Sequence, residues 1–403
     1  MNNVPNLRFK EFSGEWESQP LSKLGTFFKG TGLSKADLSD EGNPCVLYGE
    51  LYTKYTEVIT NVKSKTNVEL GNAVIGKIND VLIPSSGETA VDIATASCLQ
   101  QDDVILGGDL NVFRSNQVNG IFTSYQLNTS KKFEIAKLAQ GASVVHVYND
   151  QLKKLKLSVP TIEEQEKIAS FFSLIDKKIE LQTEKVEELK NYKKGIMQKI
   201  FSQELRFKDE NGNEYPEWEE KKLEKIVEFF KGNGLSKSDL SGNGDIPCIL
   251  YGELFTKYDE VINIVKSRCL KDQGFKSEKY DVLMPTSDVT PEGLATASCI
   301  LVDDVCLGGD INVLRPKKYI NGIFLSYQIN HFKSLIIRKV SGTTIKHIYV
   351  KDIKDIKYNI PCEKEQIKIT DLLIQIDNKI KFESIKLESY NELKKGLLQQ
   401  MFI

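Results

Sequence analysis

Histidine is scarce in this chain, with 3 in 403 residues, at His146, His331 and His347. No HExxH pair and no His/Cys cluster occurs, so no metal site is expected. The 7 cysteines are Cys45, Cys98, Cys248, Cys269, Cys299, Cys306 and Cys362. Their number is odd and no two have CxxC spacing, which argues against a disulfide framework and a zinc cluster. The phosphate loop GxxxxGK[ST] is missing, and no Rossmann glycine fingerprint follows a strand, so nucleotide hydrolysis in this chain is not expected. No apolar run approaches the ~18 residues of a membrane span. The opening "MNNVPNLRFKEFSGEW" lacks a basic segment followed by an apolar one, so a cytoplasmic protein without membrane contact is expected. Charge of one sign is also lacking, with a net charge of -2 and pI near 6.1. That argues against a general coat of nucleic-acid-binding charge and leaves a local basic face open. Hydrophobic content of 40% and charged content of 27% suit an ordinary chain that buries a core.

Repetition is abundant. "LYGELYTKY" (47–55) returns as "LYGELFTKY" (250–258). "FFKGTGLSKADLS" (27–39) returns as "FFKGNGLSKSDLS" (229–241), and "ATASCLQQDDVILGGDLNV" (94–112) as "ATASCILVDDVCLGGDINV" (295–313). "NGIFTSYQLN" (119–128) returns as "NGIFLSYQIN" (321–330), and "LRFK" occurs at Leu7 and Leu205. The offset of the four longer phrases stays at 201–203, far longer than a solenoid unit, so a whole domain is duplicated. Between the halves, "FSQELRFKDENGNEYPEW" reads as a linker. Phe402, near the close of the chain, matches Phe201. Two halves related by a two-fold axis predict a closed, pseudo-two-fold ring.

Each half has two parts. Short apolar runs such as "DVLIPSS" and "DVILGG", bounded by Gly, Pro and Asp, predict an α+β globule of mixed strands and short helices. A helical pattern without proline follows. Ile168, Phe172, Ile175, Ile179, Gln182, Val186, Leu189, Lys193, Ile196 and Ile200 keep an unbroken 4-3 spacing, as do Ile369, Leu373, Ile376, Ile380, Glu383, Leu387, Tyr390, Lys394, Leu397 and Met401. That spacing predicts two long helices paired as an antiparallel coiled coil. The expected layout is a globule over 1–160, a helix over 161–203, a second globule over 204–361 and a second helix over 362–403. The polar seam residues suggest a register in which Gln182 meets Lys394 and Glu383 meets Lys193.

Catalytic signals are weak. "LGGD" carries Asp109 and Asp310, preceded by Asp102/Asp103 and Asp303/Asp304, and reads as a turn in which Gly supplies the positive φ and Asp closes it. His146 and His347 occupy equivalent places and read as hydrogen-bonded structural residues. "PSSGET" (84–89) lacks the G-x-S-x-G of a nucleophile elbow. Recognition chemistry is better supplied. Lys29 and Lys35, with Lys231 and Lys237, flank flexible glycines and suit phosphate contact. Tyr52, Lys54 and Tyr55, with Phe255, Lys257 and Tyr258, are expected on an exposed side of the repeated phrase. Arg114 and Arg315 follow "GGD-x-NV" and suit base edges or phosphates.

The junction "VYNDQLKKLKLSVPTIEEQEKIASFFSLIDKKIE" (147–180) and its copy "IYVKDIKDIKYNIPCEKEQIKITDLLIQIDNKIK" (348–381) place a short strand, a proline, "EQ-x-x-I" and a long heptad helix in the same order twice. With the duplicated globules, this resembles the specificity subunits of type I restriction–modification enzymes, and the resemblance covers essentially the whole chain. It implies a subunit without catalytic activity or cofactor of its own, whose two target-recognition domains place a complex on a bipartite double-stranded DNA site. It implies two methylation subunits that methylate adenine N6 with S-adenosylmethionine, and restriction subunits that use ATP and Mg. Globules this similar predict a nearly palindromic target around a spacer set by the helices. The copies differ most between 61 and 93, against 263 and 294, where "PSSGETAVDI" (84–93) becomes "PTSDVTPEGL" (285–294). Ser85, Ser86, Glu88 and Thr89, with Thr286, Ser287, Asp288 and Thr290, are therefore the expected base readers. A duplicated enzyme using Asp109 with His146, and a DNA-free scaffold, are the competing readings.

Overall fold

The computed structural model describes residues 3–69, 71, 73–141 and 143–403. It divides into two compact units, Met1–Glu184 with Glu383–Ile403, and Lys185–Phe382. Each unit joins one globule to halves of two long helices, Ile162–Phe201 and Glu363–Met401. The first of these 40 residues spans about 60 Å at 1.5 Å per residue.

The first unit's globule is built on two five-stranded mixed sheets. One runs in the order Thr26–Lys29, Leu110–Arg114, Val81–Pro84, Ser97–Leu99, Val58–Ile59. Its central strand reads "VLIP" and is buried throughout, as expected of a strand covered on both faces. The other sheet centres on Asn43–Val46 and Val104–Leu106, which pair in parallel. The second unit repeats the first sheet strand for strand, from Val227–Lys231 through Ile311–Pro316, Val282–Pro285 and Ser298–Ile300 to Val261–Ile262. This is the α+β globule with mixed strands that the pattern of short apolar runs predicts.

The repeated phrases find their reasons here. "LRFK" supplies Arg8, whose guanidinium donates to both carboxylate oxygens of the buried Glu164 at 2.7 Å. Arg206 holds Glu365 in the same way, at 2.8 and 3.0 Å. The next residue, Gln165, accepts from the Asn119 backbone N–H at 2.9 Å and donates to the Pro160 carbonyl at 2.9 Å. Gln366 repeats this with Asn321 and Pro361. The "EQ" pair therefore ties the start of each long helix to the chain entering the globule and to the helix that begins at "NGIF".

All ten expected seam positions of each long helix are buried or half-buried. In the first unit the helix halves run antiparallel. Phe172 packs on Phe402 with ring centroids 5.9 Å apart, Asp176 meets Lys394 at 2.7 Å, and Gln182 donates to the Glu383 carboxylate at 2.7 Å. In the second unit Lys193 meets Asp377 at 2.7 Å. The expected register is thus corrected. Gln182 faces its own repeat counterpart Glu383, and the two lysines reach past the seam to acidic residues beside it. Cysteines placed at 182 and 383 are expected to cross-link, and a pair at 182 and 394 to fail. Residue 394 lies eleven positions beyond 383, about 16 Å along the helix. Efficient cross-linking of the 182/394 pair would restore the slipped register.

Each of these lysines sits in a four-residue polar knot. Lys394 also meets Glu57 at 2.8 Å, and Asp176 accepts from the Tyr125 hydroxyl. Lys193, Glu260, Asp377 and Tyr327 make the second knot. Burial acts to lower the Lys394 pKa, but Glu57 and Asp176 outweigh it and hold the group above its ordinary value. Burial, with the adjacent Asp176 charge, pushes the Tyr125 hydroxyl far up.

Candidate nucleic-acid interface

"LYGELYTKY" folds around one buried carboxylate. Glu50, 5% exposed, accepts from the Leu47 N–H at 3.0 Å, from Lys54 Nζ at 2.6 Å and from the Ser64 hydroxyl. Tyr55 accepts from the Lys63 N–H at 2.9 Å. Glu253, Lys257, Ser267 and Tyr258 repeat the arrangement. Lys54 and Lys257 stand on the exposed side expected of them while their heads pair with Glu50 and Glu253, and Tyr55 and Tyr258 are half-buried. Tyr52 and Phe255 are half-buried on the same short helices.

Arg114 and Arg315 are turned inward. Arg114 grips the buried Asp80 at 2.7 and 2.6 Å, donates to the Ile75 carbonyl and stacks on Phe28. Arg315 grips Asp281 at 2.9 Å through two nitrogens and lies over Phe230 and Phe275. The segment expected to read bases is mostly occupied too. Ser85 and Ser86 are 2% and 4% exposed, and Thr286 and Ser287 are 3% and 8% exposed. Thr89 and Thr290 cap the short helices that follow them. Asp288 accepts from the Thr290 hydroxyl at 2.6 Å, whereas Glu88 is exposed.

A cleft forms where these pieces meet. In the second unit it is lined by Phe229, Phe230, Lys231, Thr286, Asn312, Tyr349, Val350 and Lys351. Its floor is fixed by backbone. The Ile348 N–H donates to the Thr286 carbonyl at 3.1 Å, and the Thr286 N–H to the Asp310 carbonyl at 2.8 Å. The Thr286 hydroxyl donates to the Asp310 carboxylate at 3.1 Å. The first unit places the matching residues alike. Ser85 N–H donates to the Asp109 carbonyl at 2.7 Å, and Asn111 Nδ2 to the Val147 carbonyl at 2.9 Å. Ser86 and His146 Nδ1 share a 3.0 Å hydrogen bond, as do Ser287 and His347. Each imidazole stacks on a tyrosine two residues on, Tyr148 or Tyr349, which are 47% and 45% exposed. Lys29 Nζ lies 5.6 Å over the Tyr148 ring. Lys29, Lys35, Lys231 and Lys237 are all exposed.

The turn beside the cleft departs from expectation. The positive φ of "LGGD" falls on the aspartate, at 58° for Asp109 and 61° for Asp310. The glycine serves close approach instead. A Cβ on Gly30 would meet the Gly107 carbonyl oxygen at 1.9 Å, so the "KGTG" loop lies directly against "LGGD". Among the described residues no hydrogen bond joins Asp109 to His146, and no group of His, Cys, Asp or Glu suits a metal ion. No described helix is long and apolar enough to cross a membrane.

The arrangement combines exposed cations, a stacked aromatic face and hydrogen-bonding groups on a rigid floor, once in each repeat. This suits a nucleic-acid surface better than an acid–base pair. Residues 13–191 and 215–395 each match the model of the type I restriction modification DNA specificity domain. The chain belongs to this family. It carries two DNA specificity domains; the cleft lies in the second, and the first places the matching residues alike. The type I restriction enzyme MjaVIII specificity subunit of Methanocaldococcus jannaschii is 24% identical over 422 residues, which cover 97% of this chain and 94% of that protein. A putative MjaX specificity subunit of the same organism is 28% identical over 309 residues, 72% of this chain and 70% of its own length. In fold, the chain is similar to the S subunit of a type I restriction–modification system from M. genitalium, with a TM-score of 0.65 at 16% identity over 99% of both chains.

The residues missed by sequence reasoning are Tyr148, Tyr349, Asn111 and Asn312. Their signal was present, since "VHVY" and "KHIY", like "DLNV" and "DINV", recur at the repeat offset.

Proposed function

We propose that each specificity domain reads one half of a bipartite double-stranded DNA target, with Lys29 and Lys35, and Lys231 and Lys237, contacting phosphates beside the cleft and its counterpart. The observation that carries this reading is the matching arrangement of exposed lysine, exposed tyrosine and hydrogen-bonded floor in both domains that belong to the family. Their shared frame favours halves that are nearly inverted copies. The long helices set the gap and receive two methylation subunits, through which restriction subunits join. Exposed apolar side chains support such docking. These are Leu174, Leu181, Ile385 and Leu393 on the helix halves of the first unit, and Tyr192, Ile367 and Phe382 on those of the second. S-adenosylmethionine, ATP and Mg belong to the partners, and adenine N6 is the methylated atom. The chain contributes recognition and no catalytic group, and it acts in the cytoplasm.

Methylome sequencing of cells expressing this chain with its methylation subunits tests the proposal. The expected result is N6-methyladenine in one interrupted motif whose halves are nearly inverted. A continuous motif, or methylation independent of this chain, would overturn it. Affinity of the complex for that duplex is expected to fall steeply with salt.

A further inference from the structure

Eight residues line the second unit's cleft, and five have identical counterparts at the repeat positions of the first unit: Phe27/Phe229, Phe28/Phe230, Lys29/Lys231, Asn111/Asn312 and Tyr148/Tyr349. Ser85 and Thr286 keep a hydroxyl. The remaining two positions change chemistry. Asn149 and Asp150 in the first unit stand where Val350 and Lys351 stand in the second. Both pairs open the short helices that follow the exposed tyrosines, Asn149–Leu152 and Val350–Ile353.

From these differences we infer that Asp150 and Lys351 are specificity-determining residues that make the two half-sites differ. The inference rests on the proposed reading of the cleft and its counterpart as DNA contacts. Asp150 is 87% exposed at its side chain, held only by Lys153 at 2.8 Å in an i,i+3 pair. It can therefore accept a hydrogen bond at little cost. Its carboxylate only accepts, which suits the exocyclic amino group of cytosine or adenine. Lys351 carries the opposite charge at the same place, with its Nζ 5.6 Å over the Tyr349 ring, and Lys231 lines the same cleft. These two ammonium groups are donors, which suits the O6 and N7 acceptors of guanine. A lysine also suits a phosphate, so the test separates base from backbone.

The experiment uses the chain with its methylation subunits and the reciprocal variants Asp150→Lys and Lys351→Asp. Each variant is read by methylome sequencing. Each is also read by competition binding to duplexes in which every base pair of the wild-type motif is varied in turn. The expected result is a change of preference of about tenfold or more at one base pair, in one half for Asp150→Lys and in the other half for Lys351→Asp. An unchanged motif in both variants would overturn the inference. So would uniform weakening on all sequences with a salt slope flatter by about one, which assigns the lysine to a phosphate. Should the charge reversals abolish binding, Asp150→Asn and Lys351→Gln are read by the same two outcomes. A wild-type complex that methylates no discrete motif would sink the bipartite-target reading itself, which is a separate failure.

Discussion

Lys394→Met is expected to destabilise the first unit by about 3–5 kcal/mol, the usual cost of removing one partner from a buried ion pair. The lysine side chain is 14% exposed, and its two partners, Glu57 and Asp176, are 18% and 22% exposed. Without the ammonium these carboxylates face each other in poor solvent, with the Tyr125 ring beside them. A unit of about 200 residues should lose roughly 6–20 °C in its thermal midpoint. Lys177→Met is the control. Its pair with Glu180 is exposed and screened by water, so the thermal midpoint should stay in place. Combining Lys394→Met with Glu57→Gln and Asp176→Asn should recover much of the loss, because no orphaned charge remains. The pH dependence has a definite sign. Lys394 has a raised pKa in the folded state, so its contribution is fully present below the unfolded value of about 10.4 and is lost as pH rises through the folded one. The gap between wild type and variant therefore narrows in strong alkali, and also in acid as Glu57 and the burial-raised Asp176 carboxyl take up protons. Calorimetry that finds Lys394→Met unfolding with the wild type would show that the knot contributes nothing.

The same lysine shows what was legible in the sequence and what was not. Seam positions follow from spacing alone, and every one of them is buried or half-buried. Register does not follow from spacing, because sliding one helix by whole heptads still sets Ile on Leu. What fixes it lies partly off the seam. Asp176 and Asp377 sit one position beside it, and Glu57 and Glu260 come from the globules. Within the cleft the difficulty was of another kind. Alternation in "LYGELYTKY" places Lys54 on an exposed side, where it lies, but does not show that its i,i+4 partner Glu50 is buried. Tyr148 and Tyr349 lie some hundred residues beyond the phrases, and strand pairs such as His146 on Ser86 and His347 on Ser287 fix the chain that leads into them.

Arg114→Met separates a structural arginine from a DNA-binding one. Asp80 is 1% exposed at its side chain, and without Arg114 it keeps only the Lys77 N–H, at 2.8 Å. A buried carboxylate left with one donor costs stability, moderated here because Arg114 is itself 35% exposed and partly screened by water. The expected loss is about 2–3 kcal/mol, read as a fall in the thermal midpoint of the first unit. Arg315→Met should act alike in the second, where Asp281 is fully buried. Arg114→Lys should recover only part, since an ammonium cannot grip both carboxylate oxygens as the planar guanidinium does. A phosphate-binding arginine behaves in the opposite way. Its loss leaves the thermal midpoint in place, weakens binding on all sequences and flattens the salt slope by about one. Measured well below the melting temperature, Arg114→Met should keep the wild-type salt slope. A flattened slope with an unchanged midpoint would return Arg114 to the DNA surface and require Asp80 to find another partner.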